Sequence, residues 1–175
     1  FKGHPFKVLD DEAMQKTVES IEQFGVLTPA IARPRAEGGY ELIAGHRRHH
    51  ASQLAGKEAM PVIVRDLDDD AAIILMVDSN LQRETLLPSE KAFAYKMKMD
   101  ALRRKAGRPS KNNSRQVGEN FVTADMVGEE TGDSGRQVQR YIRLTELIPE
   151  LLDMVDSKKI AFNPAVELSY LTKDE

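Results

Sequence analysis

A stretch of twelve residues, 107–118, most limits how this chain can fold. Its sequence, G-R-P-S-K-N-N-S-R-Q-V-G, is rich in Gly, Pro, Ser and Asn and has one large apolar residue, Val117. Such a segment cannot bury enough apolar surface to be held in a core. We therefore expect a mobile basic linker, with separately folded parts of the chain on either side of it.

Before the linker, helical and extended patterns alternate. Apolar residues at helical spacing predict a helix over residues 10–24, which Asp10 or Asp11 caps and Gly25 ends. The pattern then predicts a hairpin of two strands, residues 26–34 and 40–44, followed by a helix over residues 46–55 and a third strand over residues 60–65. Two more helices are predicted over residues 68–81 and 88–106.

After the linker only helical signals occur. Proline marks two helix starts, at Pro149 and at Pro164, the second after the cap candidate Asn163. The predicted fold class is therefore α+β, a small α/β domain followed by an all-α domain. We place the domains at residues 1–87 and 119–175, with a long helix and the linker over residues 88–118.

Composition excludes several classes of protein. The 175 residues contain no Cys, so a disulfide framework, a thiolate zinc site and a thiol nucleophile are excluded. No apolar run approaches the ~18 residues of a membrane span, and the first residues show no signal-peptide pattern. We expect a cytoplasmic protein without a membrane partner, and an excised fragment, since the chain begins at Phe1.

Charge is concentrated in the middle of the chain. The net charge is −3, but residues 96–115, the basic island, hold eight Lys or Arg and one Asp, a net charge of +7. A polyanion responds to local charge, so the basic island is a candidate contact for a DNA backbone. The alternative is a solvated helix face. We assign Lys111 and Arg115 of the island to DNA binding.

Residues 123–144 have the layout of a helix-turn-helix, with a turn at Gly132-Asp133. Val138, Tyr141 and Ile142 fall on one side of the second helix. The other side carries guanidinium and amide groups, which suit guanine, adenine or phosphate, although many solvent-facing helices carry arginine. The predicted DNA-binding residues of this helix are Ser134, which is also a good N-cap, Arg136, Gln137, Gln139, Arg140 and Arg143.

A glycine followed by two arginines marks a strand-to-helix junction, Gly45-His46-Arg47-Arg48. The free N–H groups of a first helical turn, the helix dipole and the guanidinium groups all favour an anion there. Two alternatives stay open: the arginines pair with the acidic run 66–70, or His46 holds zinc together with His49 or His50.

In combination these motifs resemble the ParB family of plasmid and chromosome partition proteins. Residues 45–51 are similar to the family's G-E-R-R-x-R-A box. Residues 79–83 are similar to its E-N-x-Q-R segment, and residues 25–29 to its G-L-L-Q-P stretch. Taken alone, residues 79–83 would be an ordinary helix end. The likeness covers nearly the whole chain.

The resemblance implies a domain that binds CTP with magnesium, a helix-turn-helix that reads a palindromic site in double-stranded DNA, and a C-terminal dimerisation domain. We expect this chain to stop before the last. It also implies a homodimer, a partition ATPase as partner, and association with the nucleoid or a plasmid. The nucleotide-binding residues that it implies are Thr28, Gly45, His46, Arg47, Arg48, Asn80 and Arg83.

The chain departs from the family motifs at four positions. Histidine replaces the box glutamate and its last arginine, at His46 and His50, and Thr28 and Ser79 replace a glutamine and a glutamate. Without an acid at Ser79, we expect weak magnesium binding and slow or absent CTP hydrolysis, with Asp78 as the remaining candidate ligand. Plasmid and mobile-element members vary most at these positions, so we expect the chain to be one of them.

Two other functions stay open, a ParB-fold nuclease and a transcriptional regulator that has this architecture but no nucleotide. A nuclease ordinarily needs clustered carboxylates for two metals. The dense acidic cluster, Asp68-Asp69-Asp70, lies at a predicted helix start, where capping and the helix dipole explain it. We therefore favour a sequence-specific DNA-binding partition protein gated by CTP.

Overall fold

A computed structural model describes residues 4–83, 85–106, 116–129 and 131–171, with residues 116–122 described by their backbone alone. The chain divides into two compact units, residues 1–76 and 77–175. Strands and helices share the first unit and helices make up the second, so the predicted α+β class is confirmed. Within the described ranges, no helix combines the length and apolar character that a membrane crossing requires.

The first unit contains a three-stranded sheet in the order β2-β1-β3. Strands β1 (Ala30–Pro34) and β2 (Tyr40–Ala44) are antiparallel, and β3 (Val62–Val64) runs parallel to β1. The predicted hairpin and third strand are confirmed. The first strand begins at residue 30 rather than 26, because the carbonyls before it accept hydrogen bonds from an arginine side chain instead of a neighbouring strand.

Helix α1 (Glu12–Phe24) begins after Asp11, whose Oδ1 accepts a hydrogen bond from the Met14 amide at 2.8 Å. The buried residues Met14 and Ile21 pack with Ala51 of α2 (His46–Leu54). Helix α3 (Asp69–Leu81) follows and contains the boundary between the two units.

The second unit is built from α4 (Pro88–Lys105), α5 (Gln116–Glu129), α6 (Gly135–Arg143), a 3₁₀ turn (Leu144–Glu146), α7 (Pro149–Asp156) and α8 (Phe162–Leu168). Its core has two buried clusters. One joins Tyr95 and Met99 of α4 with Val127 and Val138, and the other joins Ala92 with residues of the 3₁₀ turn, α7 and α8. Helix α4 therefore packs along both clusters.

Three features of the second unit differ from the sequence-based expectations. Residues 116–118, predicted as linker, form the first turn of α5, and residues 107–115 with Lys111 and Arg115 lie outside the described residues. Helix α4, predicted as a connection, belongs to the second unit because its apolar face is buried there. Asn163 does not cap α8, because that helix begins at Phe162, two residues before Pro164, with Ala161 as its N-cap.

Candidate nucleotide and DNA-binding sites

Gly45 forms the bend between β2 and α2. It lies at φ 101°, in the left-handed region, and caps the helix. A Cβ atom at this position would lie 2.8 Å from the Cβ of Ala30 on β1. A side chain here would therefore be strained and would clash. This close packing places the first turn of α2 against the start of β1.

Arg48 connects that first turn to the stretch before β1. Its Nη1 donates hydrogen bonds to the carbonyl oxygens of Thr28 and Pro29, the second at 2.9 Å. Arg48 and Thr28 also line a cavity of about 310 Å³, together with α1 and the loop that follows it. The α1 part of the wall combines the polar residues Lys16, Thr17 and Ser20 with the apolar Ile21. The structure thus brings Thr28, Gly45 and Arg48 together, as predicted.

Arg47, the residue before Arg48, has a different partner: its Nη2 is 3.3 Å from Oδ1 of Asp11. The hydrogen bond from the Met14 amide and the nearby Arg47 hold the pKa of Asp11 below its ordinary value. The alternative in which the arginine pair binds the acidic run 66–70 does not hold, because Arg47 and Arg48 have these other partners. Arg33 takes that place, with its Nη1 2.7 Å from Asp69 and its Nη2 2.8 Å from Glu41.

His46 is partly buried, and its ring lies against that of His4 with centroids 4.1 Å apart and the planes tilted by 53°. Burial, reinforced by the neighbouring His4, lowers the pKa of His46 to about 4. The side chain is therefore neutral at pH 7. His50 pairs with Asp10 at 2.7 Å, and His49 is exposed. In the part of the chain that the structure describes, no group of three or more His, Asp or Glu lies close enough to hold a metal.

Asn80 and Arg83 belong to the second unit, at and just after the end of α3. The Arg83 amide donates to the Asn80 carbonyl at 3.0 Å, and Asn80 Nδ2 is 3.3 Å from the Ser79 hydroxyl. The Asp78 carboxylate, the candidate magnesium ligand, has a lysine partner instead: Lys98 Nζ lies 2.6 Å from its Oδ1. The described residues here do not fit a magnesium ion.

The helix-turn-helix turn is closed by several short contacts. Ser134 caps α6 as predicted, because its Oγ accepts a hydrogen bond from the backbone N–H of Gln137 at 3.2 Å. The Gly135 amide donates to Asp125 Oδ1 at 3.0 Å, and a Cβ at Gly128 would lie 2.0 Å from the Asp133 carbonyl oxygen. Glycine at position 128 therefore permits the tight crossing between α5 and the turn.

A buried tyrosine fixes the same turn from α4. The Tyr95 hydroxyl donates to Asp133 Oδ2 at 2.5 Å and lies 2.7 Å from Thr131 Oγ1. Lys91 Nζ reaches the same Asp133 oxygen at 2.6 Å. Burial, together with the hydrogen bond to Asp133, raises the pKa of Tyr95 above its usual range, so the hydroxyl stays protonated. This network holds the turn in one orientation.

The two faces of α6 are as the sequence predicts. Val138 is fully buried, and Tyr141 and Ile142 pack against the core. Arg136 and Gln139 on the other face are exposed, and Gln137 and Arg140 are partly exposed. Arg143 differs, because its guanidinium donates to the carbonyl and the hydroxyl of Ser169, the latter at 3.1 Å.

The described part of the basic island makes internal ion pairs. Lys98 is 2% exposed and pairs with Asp78, and Lys96 lies 3.3 Å from Glu146. Arg103 lies 3.7 Å from Asp100 in the same helix. The expectation that the whole island faces DNA is therefore wrong for Lys98, which is inaccessible.

Sequence reasoning missed two groups of residues. Lys16 and Ser20 in the cavity wall carry only a weak signal, because two polar residues four apart occur on most surface helices. Asn163 and Ser169 bind two of the arginines of α6. The sequence indicates Asn163 only as a helix cap and gives no signal for Ser169.

Comparisons with known proteins agree with this architecture. Residues 2–81 match the ParB N-terminal domain family. Over 98% of this chain, the sequence is 31% identical to the chromosome-partitioning protein Spo0J of Thermus thermophilus. Over 55% of this chain, it is 44% identical to a probable chromosome 1-partitioning protein ParB of Deinococcus radiodurans. Residues 2–81 therefore belong to the ParB N-terminal domain family, and the chain as a whole is similar to ParB and Spo0J partition proteins.

A solved structure covers the same region. C-terminally truncated ParB of Caulobacter crescentus, complexed to the centromeric parS site, superposes with a TM-score of 0.59 at 25% identity, over 99% of this chain and 81% of that one. This chain spans 56% of the Thermus protein and 33% of the Deinococcus protein. The predicted origin from a plasmid or mobile element stays a prediction.

Proposed function

We propose that this chain is a sequence-specific DNA-binding partition protein. The observation that carries the proposal is helix α6, which is capped by Ser134, buried through Val138 and exposed along Arg136 and Gln139. Such a helix presents a guanidinium and an amide to the major groove. The family and the ParB complex with parS DNA support the same function.

The proposed reading surface is Arg136, Gln137, Gln139 and Arg140, with the N-cap Ser134 and with Lys111 and Arg115 at the DNA backbone. The side chain of Arg143 donates to Ser169, so its proposed role is to hold α6 rather than to read bases. A palindromic DNA site and binding as a homodimer belong to the same proposal, as does recruitment of a partition ATPase near the nucleoid or a plasmid.

We propose further that the first unit binds the triphosphate of a nucleotide, with CTP as the family-based choice. Gly45 is the N-cap of α2, and the neutral His46, Arg47 and Arg48 form its first turn. Thr28 lines a cavity large enough for a small ligand. Asn80 and Arg83 stay proposed nucleotide-binding residues on the strength of the motif that residues 79–83 resemble. Because magnesium has no fitting ligand set among the described residues, no hydrolytic step is assigned to the site.

The test of DNA reading is selection from a duplex library with a randomised core, followed by binding of the enriched duplex. We expect the parent to enrich a defined motif and Arg136→Ala to lose preference at one position of it. The exposed variant Gln15→Ala in α1 is the matched control. Enrichment of no motif by the parent would contradict the proposal.

The nuclease alternative is tested on supercoiled plasmid with magnesium or manganese. A binder shifts the mobility of the plasmid and leaves it intact, whereas a nuclease nicks it. The regulator without nucleotide is tested by titration with CTP, ATP, GTP and UTP, with and without DNA. Binding of no nucleotide under either condition would favour the regulator.

A further inference from the structure

Helix α8 packs beside the recognition helix α6 and contacts two of its arginines. The two contacts differ in how many guanidinium N–H donors they leave available for DNA. Arg143 donates to both the carbonyl and the hydroxyl of Ser169, and its guanidinium carbon lies 4.2 Å from the ring centroid of Tyr170. This arginine is anchored within the protein.

Arg140 is held from one edge and one face. Its Nη2 donates to Oδ1 of Asn163 at 2.7 Å, and its guanidinium carbon lies 5.2 Å from the ring centroid of Phe162. A weaker contact of 3.4 Å joins its Nη1 to Gln137 on α6. A guanidinium has five N–H donors in one plane, so the remaining donors keep a defined direction and can meet another acceptor.

An arginine that recognises guanine uses two coplanar N–H groups at once. A mobile side chain loses conformational freedom when it forms such a pair, and that loss weakens binding. Hydrogen bonding and stacking from α8 restrict Arg140 before any DNA arrives. Because the guanidinium plane is set in advance, preference for the right base is expected to sharpen.

We propose that Asn163 is a positioning residue, which sets the base preference of Arg140 by holding its guanidinium. This inference rests on the proposed DNA-binding function. Asn163 itself is exposed, so replacing it removes a hydrogen bond and no core packing. The DNA-reading surface therefore includes a residue that lies outside the helix-turn-helix and acts through one of its arginines.

The experiment measures base preference with the duplex library described above. The variants are Asn163→Ala, Arg140→Ala, the double variant, and Asn163→Asp, which keeps an acceptor for Arg140. Asn163→Ala is expected to lower preference at one base-pair position by about two- to tenfold, with an unchanged melting temperature. Asn163→Asp is expected to retain that preference while lowering affinity for all duplexes, because it adds negative charge.

The double variant separates positioning from direct contact. If Asn163 acts through Arg140, then Asn163→Ala has no further effect once Arg140 is alanine. If Asn163→Ala loses the same base preference in the parent and in the Arg140→Ala variant, Asn163 binds DNA directly and the proposal is overturned. An unchanged base preference in Asn163→Ala would overturn it as well. A parent that enriches no motif would remove the DNA-binding function itself, and the positioning role with it.

Discussion

Lys98 of α4 lies buried against Asp78 of α3, with Nζ 2.6 Å from Oδ1. The two side chains are unequally exposed, at 3% for Lys98 and 35% for Asp78. Water can therefore solvate the carboxylate when its partner is removed, but it can hardly reach the ammonium. The pair joins the end of α3 to the helix that carries the core of the second unit.

This asymmetry predicts unequal costs for the two single replacements. Asp78→Ala removes a carboxylate from beside a buried ammonium and is expected to lower the free energy of unfolding by as much as about 3 to 5 kcal/mol. Lys98→Met keeps the volume and is expected to cost about 1 to 2 kcal/mol. Urea unfolding of both variants, with the double variant Asp78→Val and Lys98→Met as control, measures the difference. Equal losses would contradict the prediction.

Gly45 and Gly56 form a matched pair for testing the bend before α2. Both have positive φ, at 101° and 65°, but a Cβ would meet Ala30 at 2.8 Å in the first and nothing within 4 Å in the second. Gly56→Ala is expected to cost about 1 to 2 kcal/mol from backbone strain. Gly45→Ala is expected to cost about 2 kcal/mol more, because overpacking is added. Similar unfolding free energies for the two variants would contradict the clash.

Local signals made much of this fold predictable. Helix starts depend on a few neighbouring residues and can therefore be predicted from sequence. The structure confirms the starts predicted at Asp11, Pro88 and Ser134. Arg33 and Lys98 could not be paired in the same way. Their partners Asp69 and Asp78 lie on other elements, and only the packing of those elements decides which charges meet. The motifs that we propose to bind nucleotide and DNA are visible in the sequence, but the residues that hold them in position are not.

His46 should make stability depend on pH. Its pKa is lowered from 6.5 to about 4, first by burial and then by the positive charges of neighbours, including His4 and His49. Between these values the unfolded chain binds a proton that the folded chain does not. The contribution is therefore complete above pH 6.5 and is lost as the pH falls toward 4, by at most about 3 kcal/mol.

The measurement compares unfolding free energies at pH 7.5 and pH 5 for the parent and for His46→Gln. The parent should lose more stability on acidification than the variant does. His49→Gln, which changes an exposed histidine three residues away and removes only one of the smaller contributions to the His46 pKa, is the comparison and should keep most of the parent's loss. The same loss in the parent and in His46→Gln would show that other groups carry the pH dependence.

Lys111 and Arg115 are predicted to contact the DNA backbone. Replacing both with alanine should weaken binding to all duplexes alike, because phosphate contacts carry no sequence information. The slope of log K against log salt should become shallower by about 0.9 for each lost contact. The control is Lys57→Ala with Arg65→Ala, which removes the same charge from exposed positions of the first unit. Equal slopes in the two double variants would contradict the assignment.

The last prediction concerns the nucleotide. Ligand binding stabilises the folded state by RT ln(1 + [L]/Kd), so CTP at about 100 times its Kd should add roughly 2.7 kcal/mol and raise the melting temperature. ATP should raise it less if the family-based choice of cytosine is right. Arg47→Ala should remove most of this stabilisation while leaving the fold intact, since the Arg47 side chain is 25% exposed and has only a surface ion pair to lose.

Arg48 requires a different variant, because Arg48→Ala would also remove the hydrogen bonds to Thr28 and Pro29. Arg48→Lys keeps a positive charge and a donor but loses the planar fork. In the absence of CTP, the Arg48→Lys variant should have nearly the same melting temperature as the parent. Adding CTP should raise that temperature less than it does in the parent. Identical melting curves for the parent with and without millimolar CTP, both with DNA and without it, would remove the nucleotide from this site. The arginine pair at the start of α2 would then serve another anion, with the DNA backbone as the next candidate.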